Sequence, residues 1–154
     1  MANANPSQHH KHSFFHDHSL SIASSAILLL WICLYIVSDP SKHLGSFFGN
    51  AIADWTGTVV MVLATKFLYE RGSTESRRLP KTILRPALEW VRDHSLSLFL
   101  LITGIGWVVL YARMDSEGKW GQVVGNVVSE WTQIFGVVLM TKRLFERHSK
   151  ESQG

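Results

Sequence analysis

Two carboxylates lie within apolar stretches of the sequence, at Asp54 and at Glu130. A charged side chain inside a membrane span is energetically costly, so such a residue is a functional candidate by default. Helical spacing places further polar side chains on the same face as each acid. This predicted polar stripe consists of Asn50, Asp54, Thr58 and Thr65 in one helix and Asn126, Glu130, Gln133 and Thr141 in another. It predicts either a path for a cation or proton, or hydrogen bonding between helices that contributes about 0.6 kcal/mol per contact.

Small residues accompany the acids and favour the second interpretation. Gly49, Ala53 and Gly57 follow one another at four-residue spacing, and Gly125 and Ser129 lie at corresponding positions in the other helix. Such spacing allows two helix backbones to approach closely. The acids are therefore expected to be either transport groups or hydrogen-bonding groups between tightly packed helices.

Histidines form the other set of candidate ligands. His18 and His94 each follow an aspartate directly, and two imidazoles so placed could bind one haem iron or metal ion. The same Asp-His-Ser sequence is typical of ordinary helix capping. The amino-terminal run of His9, His10, His12, His16 and His18 is compatible with transition-metal binding or with a solvated tail.

Hydrophobic residues make up 46% of the 154 residues and are gathered into four blocks. The blocks run from Leu20 to about Ser38, from Phe47 to Tyr69, from Leu96 to Tyr111 and from Val123 to about Phe145. Each block suits a hydrocarbon core that needs roughly 20 helical residues, and the first is apolar all round, unlike a helix of a soluble bundle. The sequence therefore predicts an all-α membrane protein with four transmembrane helices and no cleaved signal peptide. The single cysteine, Cys33, excludes a disulfide or a Cys-based metal site within one chain.

Basic residues lie unevenly around these blocks and predict the orientation of the chain. The central linker holds Arg71, Arg77, Arg78, Lys81, Arg85 and Arg92, and the fourth block is followed by Lys142, Arg143, Arg147 and Lys150. The two loops within the helix pairs hold only Lys42, Arg113 and Lys119. Since Lys and Arg favour the cytoplasmic side, both termini and the linker are predicted to be cytoplasmic. The membrane explains these basic residues, so no nucleic-acid partner is expected.

The chain aligns with itself at a shift of 76 residues, and 24 of the 60 positions from Asp17 to Ser76 are identical to those from Asp93 to Ser152. The sequence is therefore divided into a His-rich tail (1–16), a first two-helix repeat (17–76), a basic amphipathic linker (77–92) and a second repeat (93–152). Each repeat holds an even number of spans, so both copies are predicted to insert in the same orientation. A unit of this kind favours a homo-oligomer of the fused chain.

Three details concern the ends of the predicted spans. Pro86 is placed where a short linker helix could begin, and that helix is expected to lie along the membrane surface. Lys66 and Lys142 lie close to the cytoplasmic side, where snorkelling towards the interface explains them. Glu70 and Arg71 are expected to pair with each other, as are Glu146 and Arg147.

The repeat resembles an uncharacterised family of small bacterial membrane proteins, a domain of unknown function built from one two-helix hairpin. His94-Ser-Leu-Ser-Leu98 is similar to the start of the family's first helix. Asn126 with Ser129-Glu130-Trp131-x-Gln133 resembles its second helix, and Arg71-Gly-Ser-Thr-Glu-Ser76 resembles its tail. The first repeat departs from that pattern with Asp54 and Gly57, and the family's long loop between helices is short here. The resemblance implies a bacterial origin and a hairpin unit, and it implies no activity.

The sequence thus predicts a multi-pass protein of the bacterial inner membrane, in contact with lipid and forming an oligomer. We expect an ion or proton conduit that uses Asp54 and Glu130. A non-catalytic scaffold or accessory subunit remains an alternative, and a haem or metal protein using His18 and His94 is a second one. The sequence has no phosphate-binding Gly-rich loop, no His-Glu-x-x-His and no Gly-x-Ser-x-Gly, so neither an enzyme nor a cofactor is expected.

Overall fold

The computed structural model describes residues 18–76 and 85–144, and these residues form five α-helices without a strand. The helices are α1 (Ser19–Val37), α2 (His43–Phe67), α3 (Pro86–Asp93), α4 (Ser95–Arg113) and α5 (Lys119–Met140). All but α3 are long and apolar enough to span a membrane, with mean hydropathies from 1.3 to 2.4. The expected all-α chain with four such helices is confirmed.

Two helices begin earlier than the hydrophobic blocks predict. Helix α2 begins at His43 instead of Phe47, and helix α5 begins at Lys119 instead of Val123. Hydropathy locates the apolar part of a helix, whereas the helix itself extends to the turn that precedes it. Helix α5 also ends at Met140 instead of about Phe145, and in the turn that follows Met140 O accepts from the amides of Arg143 and Leu144.

A tight turn of the same kind precedes α2 and α5. The Asp39 carboxylate accepts from the amide of Ser41 at 3.0 Å and from its hydroxyl at 2.6 Å, and the Asp115 carboxylate accepts from the amide of Glu117 at 3.1 Å. Both hydrogen bonds from Ser41 lower the pKa of Asp39, and the bond from the Ser41 hydroxyl has the larger effect. Asp side chains commonly stabilise turns through such contacts.

A glycine follows each turn and allows the helix to pack against it. A Cβ on Gly45 would overlap the carbonyl of Asp39, and a Cβ on Gly121 would overlap the carbonyl of Asp115. Both neighbours are backbone atoms, which have little freedom to move aside. Short helix-to-helix connections therefore depend on glycine at these two positions.

The four long helices pack in the order α1, α2, α5, α4, so α2 and α5 form the centre of the bundle. The main core cluster joins the two central helices to α4 through buried Ala53, Leu96, Leu100, Trp131 and Val138. The Trp131 indole donates to Leu100 O at 3.2 Å and to Thr103 Oγ1 at 2.9 Å, which satisfies its polar edge within the core.

Within each helix pair, a tyrosine packs over a glycine of the following helix. A Cβ on Gly49 would lie 3.2 Å from the Tyr35 ring, and a Cβ on Gly125 would lie 3.0 Å from the Tyr111 ring. The Tyr35 hydroxyl also donates to Lys119 O at 2.5 Å, which joins α1 to the start of α5. Glycine at positions 49 and 125 therefore allows the aromatic ring to lie against the helix backbone.

The linker helix α3 begins at Pro86, as predicted, with Arg85 in an extended conformation before it. Proline suits the first turn of a helix, because the amide that it lacks would have no partner there. Leu88, Trp90 and Val91 are exposed. Its position on the membrane surface stays a prediction, and the His-rich tail, Glu146 and Arg147 lie outside the described residues.

Candidate functional site

The two acids of the predicted stripe line one cleft between α2 and α5, with a volume of about 430 Å³. The Asp54 and Glu130 carboxyl groups face the same space and lie close enough to repel each other when both are ionised. Thr58 and Gln133 line the same cleft, and its remaining wall is largely apolar. The structure thus brings together four of the predicted stripe residues at a single site.

A direct hydrogen bond joins the two central helices beside the acids. Asn126 Nδ2 donates to Asn50 Oδ1 at 2.5 Å. These asparagines are 76 residues apart and lie one helical turn before the two acids. The four side chains therefore form two successive cross-helix pairs, an amide pair and a carboxyl pair.

Three threonines of the stripe satisfy their hydroxyl groups within their own helices. Thr58 donates to Asp54 O at 3.0 Å, Thr65 to Met61 O at 2.7 Å and Thr141 to Val137 O at 2.9 Å. A threonine bonded in this way still presents lone pairs on its hydroxyl oxygen as acceptors. These threonines therefore present oxygen acceptors along the stripe.

A second cleft, of about 510 Å³, continues from the first towards the linker end of the bundle, where α2 ends and α4 begins. The two clefts share Met61, Val62 and Glu75 in their walls. His18, Ser21, Thr65 and Lys66 line the second cleft. Polar and ionisable groups therefore extend from the acid pair to the end of the helices.

Glu75 is a site residue that sequence reasoning missed. It belongs to a folded segment after α2, residues 69–76, in which Gly72 has a φ of +87°. The Ser73 hydroxyl lies 2.9 Å from that of Thr141, which directly follows α5, and the Glu70 amide donates to Ser76 Oγ at 2.8 Å. These contacts fold the segment across the end of the central helices. In the sequence, Glu75 belongs to the Gly-Ser-x-Glu-Ser pattern, which indicates a family resemblance but assigns no role to Glu75.

Glu70 forms a buried ionic cluster with the second helix pair. Its Oε1 lies 2.7 Å from Lys142 Nζ and 2.8 Å from His94 Nδ1, and its Oε2 accepts from the Ser97 amide at 3.2 Å. The Glu70 side chain is only 1% exposed. Burial alone raises the pKa of this carboxyl, but the hydrogen bonds from Lys142, His94 and Ser97 outweigh it, so its pKa lies below the ordinary value.

The expected local pair between Glu70 and Arg71 is wrong. The Arg71 guanidinium lies 3.5 Å from Asp93 Oδ2, while Glu70 turns inward to Lys142. A carboxylate that is buried requires a partner at the same depth, and the exposed Arg71 side chain does not supply one. Lys142 is likewise held by Glu70, so snorkelling does not account for its position.

The two histidines proposed as metal ligands each lie against a lysine. Lys66 Nζ is 3.0 Å from His18 Nδ1, and Lys142 Nζ is 3.2 Å from His94 Nδ1. Within residues 18–76 and 85–144, no three His, Cys, Asp or Glu side chains are grouped as a metal site requires. Metal or haem binding by His18 and His94 stays a prediction.

The small residues of the predicted packing face have different neighbours. Gly57 lies against α5, where an added Cβ would be 2.7 Å from Ile134 Cδ1. Ala53 is buried in the core, whereas Gly49 and Gly125 contact tyrosines of their own helix pairs. Ser129 is exposed. Close approach of α2 and α5 therefore involves Gly57 most directly.

The chain matches no family model, no curated protein and no solved structure.

Proposed function

We propose that the protein is an oligomeric conduit for protons or small cations, with Asp54 and Glu130 as the ion-binding groups. The observation that supports it is the shared cleft of these two acids between α2 and α5. Two acids at matched positions in two apolar helices are costly in a membrane, and such residues commonly mark the path or the binding site of a cation.

The exposure of the polar stripe favours an oligomer. Asn50, Asp54, Thr58 and Gln133 are all exposed on the single chain. Such groups would face hydrocarbon if the chain were alone in a bilayer, at a cost of roughly 2.5–3.5 kcal/mol for a charged residue near a span centre. A second copy packed against the same face would cover them and convert the open cleft into an enclosed path. A self-complementary face is the usual basis of a twofold dimer.

Protons suit this path better than metal cations. Two neighbouring carboxyl groups repel each other when both are ionised, so sharing one proton relieves the repulsion. Beyond the acids, the path passes Glu75 and reaches His18 and Lys66. A lysine ammonium repels a metal cation at that end, whereas carboxyl and imidazole groups readily exchange protons.

We place both helix pairs in the same orientation, with the termini and linker on the cytoplasmic side of a bacterial inner membrane. Contacts between α2 and α5 advance in the same direction on both helices, from Asn50 with Asn126 to Gly57 with Ile134. The repeated turns at Asp39 and Asp115 support two copies of one unit, and the basic linker supports the orientation.

The proposal is tested by measuring proton and cation flux into proteoliposomes for the native chain, Asp54→Asn and Glu130→Gln. We expect native flux that each substitution lowers at least tenfold. Glu117→Gln, in the loop before α5, serves as a control and should keep the native rate. Equal flux in all four proteins would contradict the role of the acids.

A non-catalytic scaffold is the second candidate, and the Asn50–Asn126 hydrogen bond favours it. Polar pairs between membrane helices fix their register, as this amide pair does for α2 and α5. On this account the acids bind across an interface between copies. The scaffold function predicts that the native protein conducts no ions. It also predicts that the oligomer dissociates when Asp54 and Glu130 are both neutralised.

A further inference from the structure

A groove of about 260 Å³ lies between α4 and α5, apart from the acid cleft. Its walls are mostly exposed or half-buried apolar side chains, among them Leu101, Ile105, Val109, Val128 and Phe135. On α5, the residues that line this groove are offset by about half a helical turn from Glu130 and Gln133, which line the acid cleft. The groove therefore opens on the opposite side of α5 from the proposed ion path.

The polar side chains at the groove already donate their hydrogen bonds within the protein. Thr132 Oγ1 donates to Ser129 O at 2.6 Å. The Trp131 indole donates to Leu100 O and to Thr103 Oγ1. All other described residues that line the groove are apolar. The lining therefore suits a hydrocarbon and offers little to a polar ligand.

The groove runs along the middle of α4. It extends from Leu100 to Val109, whereas α4 begins at Ser95 and ends at Arg113. At 1.5 Å per residue, about 7.5 Å of helix separates the groove from the linker end and about 6 Å separates it from the opposite end. Because α4 is long and apolar enough to cross a membrane, a groove at this depth opens onto lipid tails instead of water.

The groove contains a glycine where the first helix pair has a leucine. Gly104 corresponds to Leu28 at the shift of 76 residues. Leu28 packs against the buried cluster of Tyr35, Ile52 and Val123. A side chain thus occupies this position in the first helix pair, and the second pair leaves it open.

We propose that this groove binds an acyl chain of a membrane phospholipid. A dry cavity of about 150 Å³ lined by leucine, isoleucine and phenylalanine binds benzene, so a groove of about 260 Å³ has room for a longer hydrocarbon. Water is a poor occupant, because the apolar walls give it too few hydrogen-bonding partners.

A helix of a second copy fits the groove less well than a lipid chain. Lipid tails are as apolar as leucine, so apolar surface alone does not drive membrane helices together. Contacts between such helices use small and polar side chains instead. Apart from Gly104 and Thr132, the lining consists of large apolar residues, which favours lipid as the occupant.

Photolabelling tests the proposal on the full chain in liposomes that contain phosphatidylethanolamine with a diazirine in the middle of one acyl chain. Mass spectrometry then measures the labelling of Val128 and Phe135 on α5. Gly104→Leu should lower this labelling at least fivefold, because its side chain extends over Trp131. Gly106→Leu is the matched control, since a Cβ there meets nothing within 4 Å, and it should label as the native chain does. Equal labelling in all three proteins would overturn the proposal.

Val108→Phe keeps the test decisive if Gly104→Leu does not fold. It narrows the groove one helical turn from Gly104, at an exposed position outside the core. It should also lower the labelling of Val128 and Phe135, with an unchanged far-UV circular dichroism spectrum. A folded Val108→Phe protein that labels as strongly as the native chain would count against the acyl chain.

Disulfide formation tests the second copy as the competing occupant. In a Cys33→Ser background, which removes the only native cysteine, Ile105→Cys places a thiol at the groove and Ile102→Cys places one elsewhere on α4. We expect no more disulfide-linked dimer from Ile105→Cys than from Ile102→Cys after oxidation. A dimer that forms only with Ile105→Cys would assign the groove to a second copy and overturn the proposal. Neither readout depends on ion flux, so both remain valid whether or not the acid pair conducts.

Discussion

At the scale of single residues, the carboxylates of this chain differ in what surrounds them. Glu70 is enclosed by Lys142, His94 and a backbone amide, whereas Asp54 is exposed and lies beside another acid. The first arrangement satisfies a charge and stabilises the fold. The second leaves a charge available, which is what binding or moving a cation requires.

Neutralising Glu70 should destabilise the protein without a direct effect on the acid pair. Glu70→Gln keeps the shape of the side chain but leaves Lys142 with a weaker acceptor, at a cost of about 1–3 kcal/mol in the free energy of unfolding. The measurement is the Tm in detergent. The control is Glu89→Gln on α3, whose side chain is 48% exposed and should change the Tm little. Equal Tm values for the two variants would contradict a structural role for Glu70.

The same cluster predicts an acid-sensitive contribution to stability. Because hydrogen bonding lowers the pKa of Glu70 in the folded chain, its contribution is fully present above the unfolded pKa of about 4.3. It is lost as the pH falls through the lower folded pKa. The Tm difference between native protein and Glu70→Gln should therefore shrink as the pH falls below about 4. A difference that grew on acidification would have the wrong sign.

At the scale of helices and turns, hydropathy predicted which segments are helical but misplaced the starts of α2 and α5. The apolar blocks identify α1 and α4 closely, because their ends coincide with the loss of apolar character. The starts of α2 and α5 depend instead on the Asp39 and Asp115 turns, which hydropathy does not report. The folded segment 69–76 was also missed, since its contacts with α5 and α4 join residues far apart in sequence.

The glycine after the second turn provides a sharp test of that geometry. Gly121→Ala places a Cβ onto the carbonyl of Asp115 and should destabilise the protein by about 1–3 kcal/mol. Gly106→Ala in α4 meets nothing within 4 Å and should be neutral or stabilise by roughly 0.5–1 kcal/mol through helix propensity. Thermal unfolding of the two variants in detergent measures the difference. A Gly121→Ala protein as stable as Gly106→Ala would contradict the close turn.

At the scale of the whole molecule, the repeat predicted which residues correspond but not which helices meet. A repeated unit is compatible with contact through its first or its second helix. The structure pairs α2 with α5, and this pairing brings Asp54 to Glu130 and Asn50 to Asn126. Side-chain packing decides between such arrangements, and a single sequence does not encode it in any simple spacing.

The proposed orientation predicts a pattern of chemical accessibility. In a Cys33→Ser background, cysteine at Ser41 or Ser116, in the loops between helices, should react with a membrane-impermeant maleimide in intact cells. Cysteine at Ser73, after α2, should react only after permeabilisation, because the basic linker end is placed in the cytoplasm. Labelling of Ser41→Cys and Ser116→Cys from opposite sides would contradict insertion of both helix pairs in the same orientation.

We propose that the acid pair between α2 and α5 carries protons or small cations. The most direct test is proton flux into proteoliposomes containing the native chain or the Asp54→Asn/Glu130→Gln double variant, at equal protein content and equal oligomeric state. The account predicts native flux and a fall to the level of empty liposomes in the double variant. Native vesicles that conduct no better than empty ones, or a double variant that conducts as well as the native protein, would contradict it.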